Sequence, residues 1–231
     1  MNTLIITLGN SEIQFNEKDL GDFYIDETNT DDIRLKKGHI SLQVRKNVRL
    51  NKQIWWIPVS SRDGGRYILE NFDVFSGVIK FPIVEPLVDF VNNHDIINIV
   101  WVVTDQDDLK HSKGDTLYYS EIIEKYFRIQ LQNAEQIRYN TIKVAQNVKD
   151  IDCQYIFFRN KISDILFDEG TICDQIYLFA QGGIDQINHA LTLQLLQKYK
   201  SQVRIYQKAE DEVLKEVLFP HMFIKDLNRQ K

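Results

Sequence analysis

Cysteine is nearly absent. The 231 residues hold only Cys153 and Cys173, and neither stands in a Cys-x-x-Cys or Cys/His cluster. That excludes a disulfide framework and argues against a structural zinc site. The simplest expectation is two buried thiols in a reducing compartment. A basic excess is missing too. Against 33 Asp and Glu there are 28 Lys and Arg, a net charge of −5, the wrong sign for sequence-independent binding of duplex DNA or RNA. A small anion is still admissible, because backbone N–H groups at a helix N-terminus need no net positive charge. The first residues, Met1-Asn2-Thr3-Leu4-Ile5-Ile6, lack the basic segment of a signal peptide,. No apolar run nears the ~20 residues that cross a bilayer. The expectation is a soluble, cytoplasmic protein with no membrane segment.

Several chemical signatures are also missing. There is no GxGxxG fingerprint, no Walker A sequence, no HExxH and no GxSxG elbow,. His39, His94, His111, His189 and His221 are scattered. The acidic residues show no spacing suited to a metal pair, so no metal and no cofactor are expected. The sequence displays no catalytic centre.

Core material is plentiful: 43% of residues are hydrophobic, with three Trp, ten Tyr and thirteen Phe, which argues against disorder over most of the length. Leu4–Leu8 reads as a buried strand that stops at Gly9-Asn10. From 12 to 81 the pattern is irregular, with strands expected at 23–25, 41–44 and 53–57 and a turn at Asp63-Gly64-Gly65. We read this stretch as a strand-rich excursion from the main sheet. Regular alternation follows: a helix at 84–92, a strand at 97–103, a helix at 116–130 and a strand at 136–142. A helix at 151–167, a strand at 175–180, a helix at 184–199, a strand at 203–207 and a short helix at 211–219 complete it. Strands alternating with helices of this length predict an α/β, Rossmann-like fold whose mostly parallel sheet carries helices on both faces. Ligands of such sheets bind beyond the carboxyl ends of the strands.

Three strand-end loops therefore hold the candidates. In the first, Gly9 permits a tight turn, and Asn10 and Ser11 offer short polar groups to a phosphate or ribose; the plainer role for both is to cap the turn. In the second, Thr104, Asp105 and Gln106 can read a base or sugar, and Lys113 can meet a phosphate, although an exposed loop lysine is usually just solvated. Asp115 is expected to cap the helix that begins at Thr116. In the third, Gln181-Gly182-Gly183 joins a buried strand to an amphipathic helix. There the glycines let a ligand approach the unpaired N–H groups of the first turn. Ile184, Ile187, Leu191 and Leu195 pack on the sheet and so orient Asp185, Gln186 and Asn188.

Three stretches, Ile6–Ser11, Val102–Gln106 with Lys113–Leu117, and Leu178–Asn188, together resemble the CARF domain, the CRISPR-associated Rossmann fold that senses cyclic oligoadenylates in type III systems. The resemblance covers most of the chain in order. It implies a homodimer that holds one cyclic tetra- or hexa-adenylate across both protomers and shifts a fused or separate effector into its active state. The site it implies is Gly9, Asn10, Ser11, Thr104, Asp105, Gln106, Lys113, Gln181, Gly182, Gly183, Ile184, Asp185, Gln186 and Asn188. The long segment 12–81 departs from the family pattern. No effector is recognisable after 208–231, which we read as a connector. The chain would then be the sensor portion of a longer protein, or a stand-alone sensor.

Two alternatives stay open. One is a ring nuclease that cleaves its activator without a metal. A ribose 2′-OH would attack the adjacent phosphodiester to give a 2′,3′-cyclic phosphate, with Asn10, Ser11 and the Gly182-Gly183 amides as donors. The other is an unrelated Rossmann-type nucleotide-binding regulator.

Overall fold

Side chains along the central strands alternate between two apolar layers, as the two-residue period of a strand requires. Ile5, Val100 and Val102 enter one buried cluster, while Leu4, Ile6, Ile99, Trp101 and Val103 enter another. Both faces are dry, which is why these strands read as unbroken apolar runs. The computed structural model describes residues 2–27, 33–48, 54–108, 111–166, 173–209 and 213–217. No helix among them is long and apolar enough to cross a membrane.

The strands are β1 Asn2–Thr7, β2 Gln14–Asn16, β3 Tyr24–Asp26, β4 Arg34–Lys37, β5 Ile40–Val48, β6 Ile54–Pro58, β7 Ile79–Lys80, β8 Ile96–Thr104, β9 Arg138–Val144, β10 Gln175–Phe179, β11 Val203–Lys208 and β12 Leu214–Glu216. The helices are α1 Ser61–Glu70, α2 Phe72–Phe75, α3 Leu87–Asn93, α4 Leu117–Gln130, α5 Ile151–Leu166 and α6 Asp185–Tyr199.

The main sheet runs β9-β8-β1-β10-β11-β12. Its first five strands are parallel. In chain order these five stand 3-2-1-4-5, the doubly wound arrangement, with its switch point between β1 and β10. On one face α5 and α6 bury Phe158, Ile162, Ile187, Leu191 and Leu195. On the other, α3 and α4 bury Phe90, Ile122, Ile123 and Phe127. The fold is thus the expected Rossmann-like α/β sheet covered on both sides.

Segment 12–81 builds a second sheet of its own, β3-β4-β5-β6-β2-β7, antiparallel throughout. Phe15, Leu42, Val44, Trp56, Ile68 and Phe75 from this module join the same buried cluster as α3 and α4. The module is therefore packed onto one face of the main sheet.

Two expectations are corrected. Asp63-Gly64-Gly65 is not a turn but lies inside α1. Ser60 caps that helix, its Oγ accepting from Asp63 N at 3.1 Å. The two glycines are buried there because a Cβ on Gly64 would stand 2.6 Å from Pro58, and one on Gly65 3.0 Å from the Tyr119 ring. The expected helix at 211–219 is replaced by β12, antiparallel to β11; residues 211, 212, 218 and 219 lie outside the described residues. The rest of the connector through 231, with His221, also lies outside them, as do Gln53 and Phe167.

Other differences are shifts of register. Helix α3 starts at Leu87, after Pro82 and Pro86, although Val84 is buried as expected. Strand β9 starts at Arg138 because 134–136 forms a turn of 3-10 helix. Cys173 is buried, but Cys153 is only partly so.

Candidate functional site

At the switch point the loops after β1 and β10 meet backbone to backbone. A Cβ on Gly9 would lie 2.6 Å from Gly183 N; one on Gly182 would lie 2.5 Å from Thr7 O and 2.2 Å from Glu12 Oε1. Only glycine allows this contact at Gly9 and Gly182, and Gly183 adopts φ +85°, a conformation open chiefly to glycine. Side chains then fasten the turn. Thr7 Oγ1 donates to Gly182 O at 2.7 Å, and Asn188 Nδ2 donates to the same oxygen at 2.8 Å. Asn188 Oδ1 is buried without a partner and would lie 3.7 Å from a Cβ on Gly183.

Above this junction lies a crevice of about 360 Å³, lined by Leu8, Gly9, Asn10, Thr104, Gln106, His111, Gly114, Thr116, Val148, Lys149, Gly183 and Ile184. It adjoins a depression of about 430 Å³ that shares Gln106, His111, Val148 and Lys149 and extends over the loop after β9. Ile184, the residue before α6, gives that helix no side-chain cap. The first-turn amides are therefore left without a side-chain cap from that residue,.

Of the candidate residues, the crevice brings together Gly9, Asn10, Thr104, Gln106, Gly183 and Ile184. Thr104 is also structural: its N donates to Thr116 Oγ1 at 3.2 Å and its Oγ1 accepts from Thr116 N at 3.3 Å. Thr116 Oγ1 in turn reaches Leu8 O at 3.3 Å, which ties the β1 and β8 loops together. Asp105 is engaged by Arg62, Nη2 to Oδ1 at 2.6 Å. Gln181 turns toward the β11 end, accepting from Lys208 N at 2.6 Å and donating to Lys208 O at 3.2 Å. Ser11, Lys113, Gly182, Asp185, Gln186 and Asn188 do not line the crevice, and Lys113 is exposed.

The expected cap role of Asp115 is corrected. The residue before α4 is Thr116, and no side chain caps that helix. Asp115 is fully buried and instead accepts from Gln106 N at 2.7 Å, Gln106 Nε2 at 2.8 Å and Arg62 Nη2 at 2.7 Å. It holds the loop after β8, not the helix after it.

Glu12, Arg62, His111 and Lys149 escaped sequence reasoning. Glu12 is wholly buried, with Oε1 accepting from Gly9 N at 3.2 Å and Oε2 without a partner. Burial pushes its carboxyl up to about 8, against a lowering pull from the Gly9 amide. Arg62 belongs to α1, whose start is marked by the Ser60–Asp63 cap,, a signal for the helix and not for its ion pairs. His111 and Lys149 lie in loops after β8 and β9. Lys149 follows the carboxyl end of β9, where the strand-end rule places ligand contacts,. Among the described residues no cluster of His, Cys, Asp and Glu could hold a metal ion.

A scan against models of known protein families matches none, and no curated protein matches in sequence. Among solved structures the chain is similar to Enterococcus italicus Csm6 bound to cyclic hexa-2′-fluoro-hexa-dAMP, with 12% identity and a TM-score of 0.46 over all of this chain. The chain spans 40% of the length of that protein. A likeness at this level assigns no role to any residue.

Proposed function

We propose that the chain is a CARF-type sensor domain that binds a cyclic oligoadenylate as a homodimer and thereby switches a fused or separate effector in type III CRISPR defence. One observation carries the reading. The crevice sits at the doubly wound switch point, lined by Gly9 and Gly183 together with Asn10, Gln106, His111 and Lys149. Such a surface suits a phosphodiester with attached bases. Backbone groups and the uncapped α6 terminus take the anion, and amide side chains can pair with base edges.

Size favours a shared ligand. A crevice of about 360 Å³ with a neighbouring depression of about 430 Å³ lies at the low end of small-molecule sites and holds roughly one or two nucleotides. A ring of four or six therefore needs the crevices of two protomers, and a two-fold axis matches a rotationally symmetric ring. Occupancy would then act through the difference in affinity between two quaternary arrangements.

The test is calorimetric titration with cyclic tetra-adenylate and cyclic hexa-adenylate, light scattering, and chromatography of the ligand after incubation. The expected result is one intact ring bound per dimer. Cleavage to a 2′,3′-cyclic phosphate would instead establish the ring nuclease. Binding of neither ring would overturn the reading in favour of another nucleotide-binding regulator.

A further inference from the structure

The antiparallel module lines no part of the crevice, yet one of its side chains reaches the loop that does. Arg62, on the first turn of α1, sends Nη2 to Asp105 Oδ1 at 2.6 Å, to Asp115 Oδ2 at 2.7 Å and to Gln106 O at 3.2 Å. Asp115 in turn accepts from both the backbone and the side-chain amide of Gln106. Gln106, the crevice residue, is thus gripped from both sides by groups that converge on one guanidinium. Neighbouring contacts point the same way. Ser60 Oγ donates to Lys113 O at 3.2 Å, and Gly65 allows α1 to approach the Tyr118 and Tyr119 side chains of α4.

The chemistry suits a fixed brace. Asp115 has no exposed side-chain area, and the Arg62 and Asp105 side chains are less than a third exposed. Contacts between a planar cation and two carboxylates are short and directional. Burial works against the Arg62 charge, but the hydrogen bond and charge of Asp115, then Asp105, outweigh it and keep the guanidinium protonated. Arg62 Nε is buried with no partner, and the hydrogen bonds that tie the group to the loop run through Nη2.

We propose that Arg62 is a positioning residue through which the antiparallel module sets the shape of the crevice, by holding Gln106 in place by way of Asp105 and Asp115. Residues 12–81 are then a regulator of the site. Any partner or modification that shifts α1 changes ligand affinity without touching the ligand. This inference rests on the oligoadenylate reading only for the identity of the ligand.

Two measurements on the full chain test it. Amide hydrogen exchange of the loop after β8 is read in wild type, R62Q and D105N, with R66Q as a control on the exposed side of α1. R62Q should exchange about tenfold faster at Gln106 and Asp115, D105N should fall between, and R66Q should match wild type. This readout holds whatever the crevice binds. Equal protection in R62Q and wild type overturns the proposal. The second measurement is a double-mutant cycle on cyclic tetra- and hexa-adenylate binding. R62Q should weaken affinity about tenfold alone but about twofold or less in a Q106A background, and R62K should restore only part. Additive losses would show that Arg62 does not act through Gln106 and overturn the proposal. If wild type binds neither ring, the ligand assignment fails while the exchange result still decides the role of Arg62. D105N keeps the buried Asp115 pair intact and serves if R62Q folds poorly.

Discussion

The parallel sheet is buried on both faces, whereas β5 of the antiparallel sheet buries Ile40, Leu42 and Val44 and exposes Gln43 and Arg45. The parallel sheet contributes its strand ends to the crevice; the antiparallel module contributes none of the lining residues. What separates them is backbone freedom. At the β1–β10 junction main chains touch, so geometry is set by the absence of side chains. In the antiparallel module geometry is set by apolar packing, and its influence on the crevice passes through charged side chains. The lesson is that the same site is shaped from within by glycine and from outside by an ion-pair brace.

The sharpest way to break this contrast is to add a side chain at each kind of place. Gly182→Val should cost about 5 kcal/mol or prevent folding, because its Cβ meets Thr7 O and Glu12 Oε1 inside contact distance,. Gly77→Ala, between α2 and β7 with nothing within 4 Å of an added Cβ, should change stability by less than about 0.5 kcal/mol. Chemical denaturation of both variants measures the difference.

Next in size is the pH response of Glu12. Its folded pKa of about 8 stands above the ordinary 4.5, so the folded state holds more protons than the unfolded state between these values. Stability must fall as pH rises through this window and level off above about 8, by up to about 5 kcal/mol. Tyr119, itself raised by burial first and then by the Glu12 charge, stays neutral throughout. Glu12→Gln keeps an acceptor for Gly9 N and should abolish that slope. Denaturation midpoints at pH 5, 7 and 9 test it; an unchanged slope would place the titration elsewhere.

The fold was legible where burial is two-sided. Val100–Val103 and Ile176–Phe179 announce central strands by themselves, and the helices facing them follow by period. The antiparallel module was only half legible. Strands β2 and β7 have three and two residues, too few to show alternation, and the α1 glycines pointed to a turn when close packing was their reason. Of the site, Gly9, Gln106 and Gly183 could be reached because they follow recognisable strands. Arg62 could not, since its partners lie more than 40 positions away and nothing local marks a long-range ion pair.

A middling effect is expected within the parallel sheet's own loops. Thr104→Val and Thr116→Val each remove a buried reciprocal hydrogen bond and should cost about 1–2 kcal/mol. The double variant should cost about the sum, because Thr104→Val orphans the Thr116 N–H and Thr116→Val orphans the Thr104 N–H, two different groups,. A cost well below the sum would mean that the two loops rearrange together once either bond is lost. The smallest effect should come from Lys149→Ala. Lys149 is an exposed residue on the crevice rim, so stability should not move and affinity for cyclic tetra-adenylate should drop by about 1 kcal/mol or less. A larger loss would mean that the β9 side of the crevice, not the glycine junction, carries the phosphate.

The position of β1 has a consequence for the order in which the chain assembles. Leu4 pairs with Ile99 on one side and Tyr177 on the other, so a strand made early finds its neighbours only much later. Every pairing within the antiparallel module joins residues between Gln14 and Lys80, and these loops close at lower entropic cost. Non-local parallel pairing is slow and leaves edges exposed while it waits. During synthesis β1 is thus an unpaired apolar segment until β8 has emerged, and the crevice cannot exist before β10 has threaded in beside it.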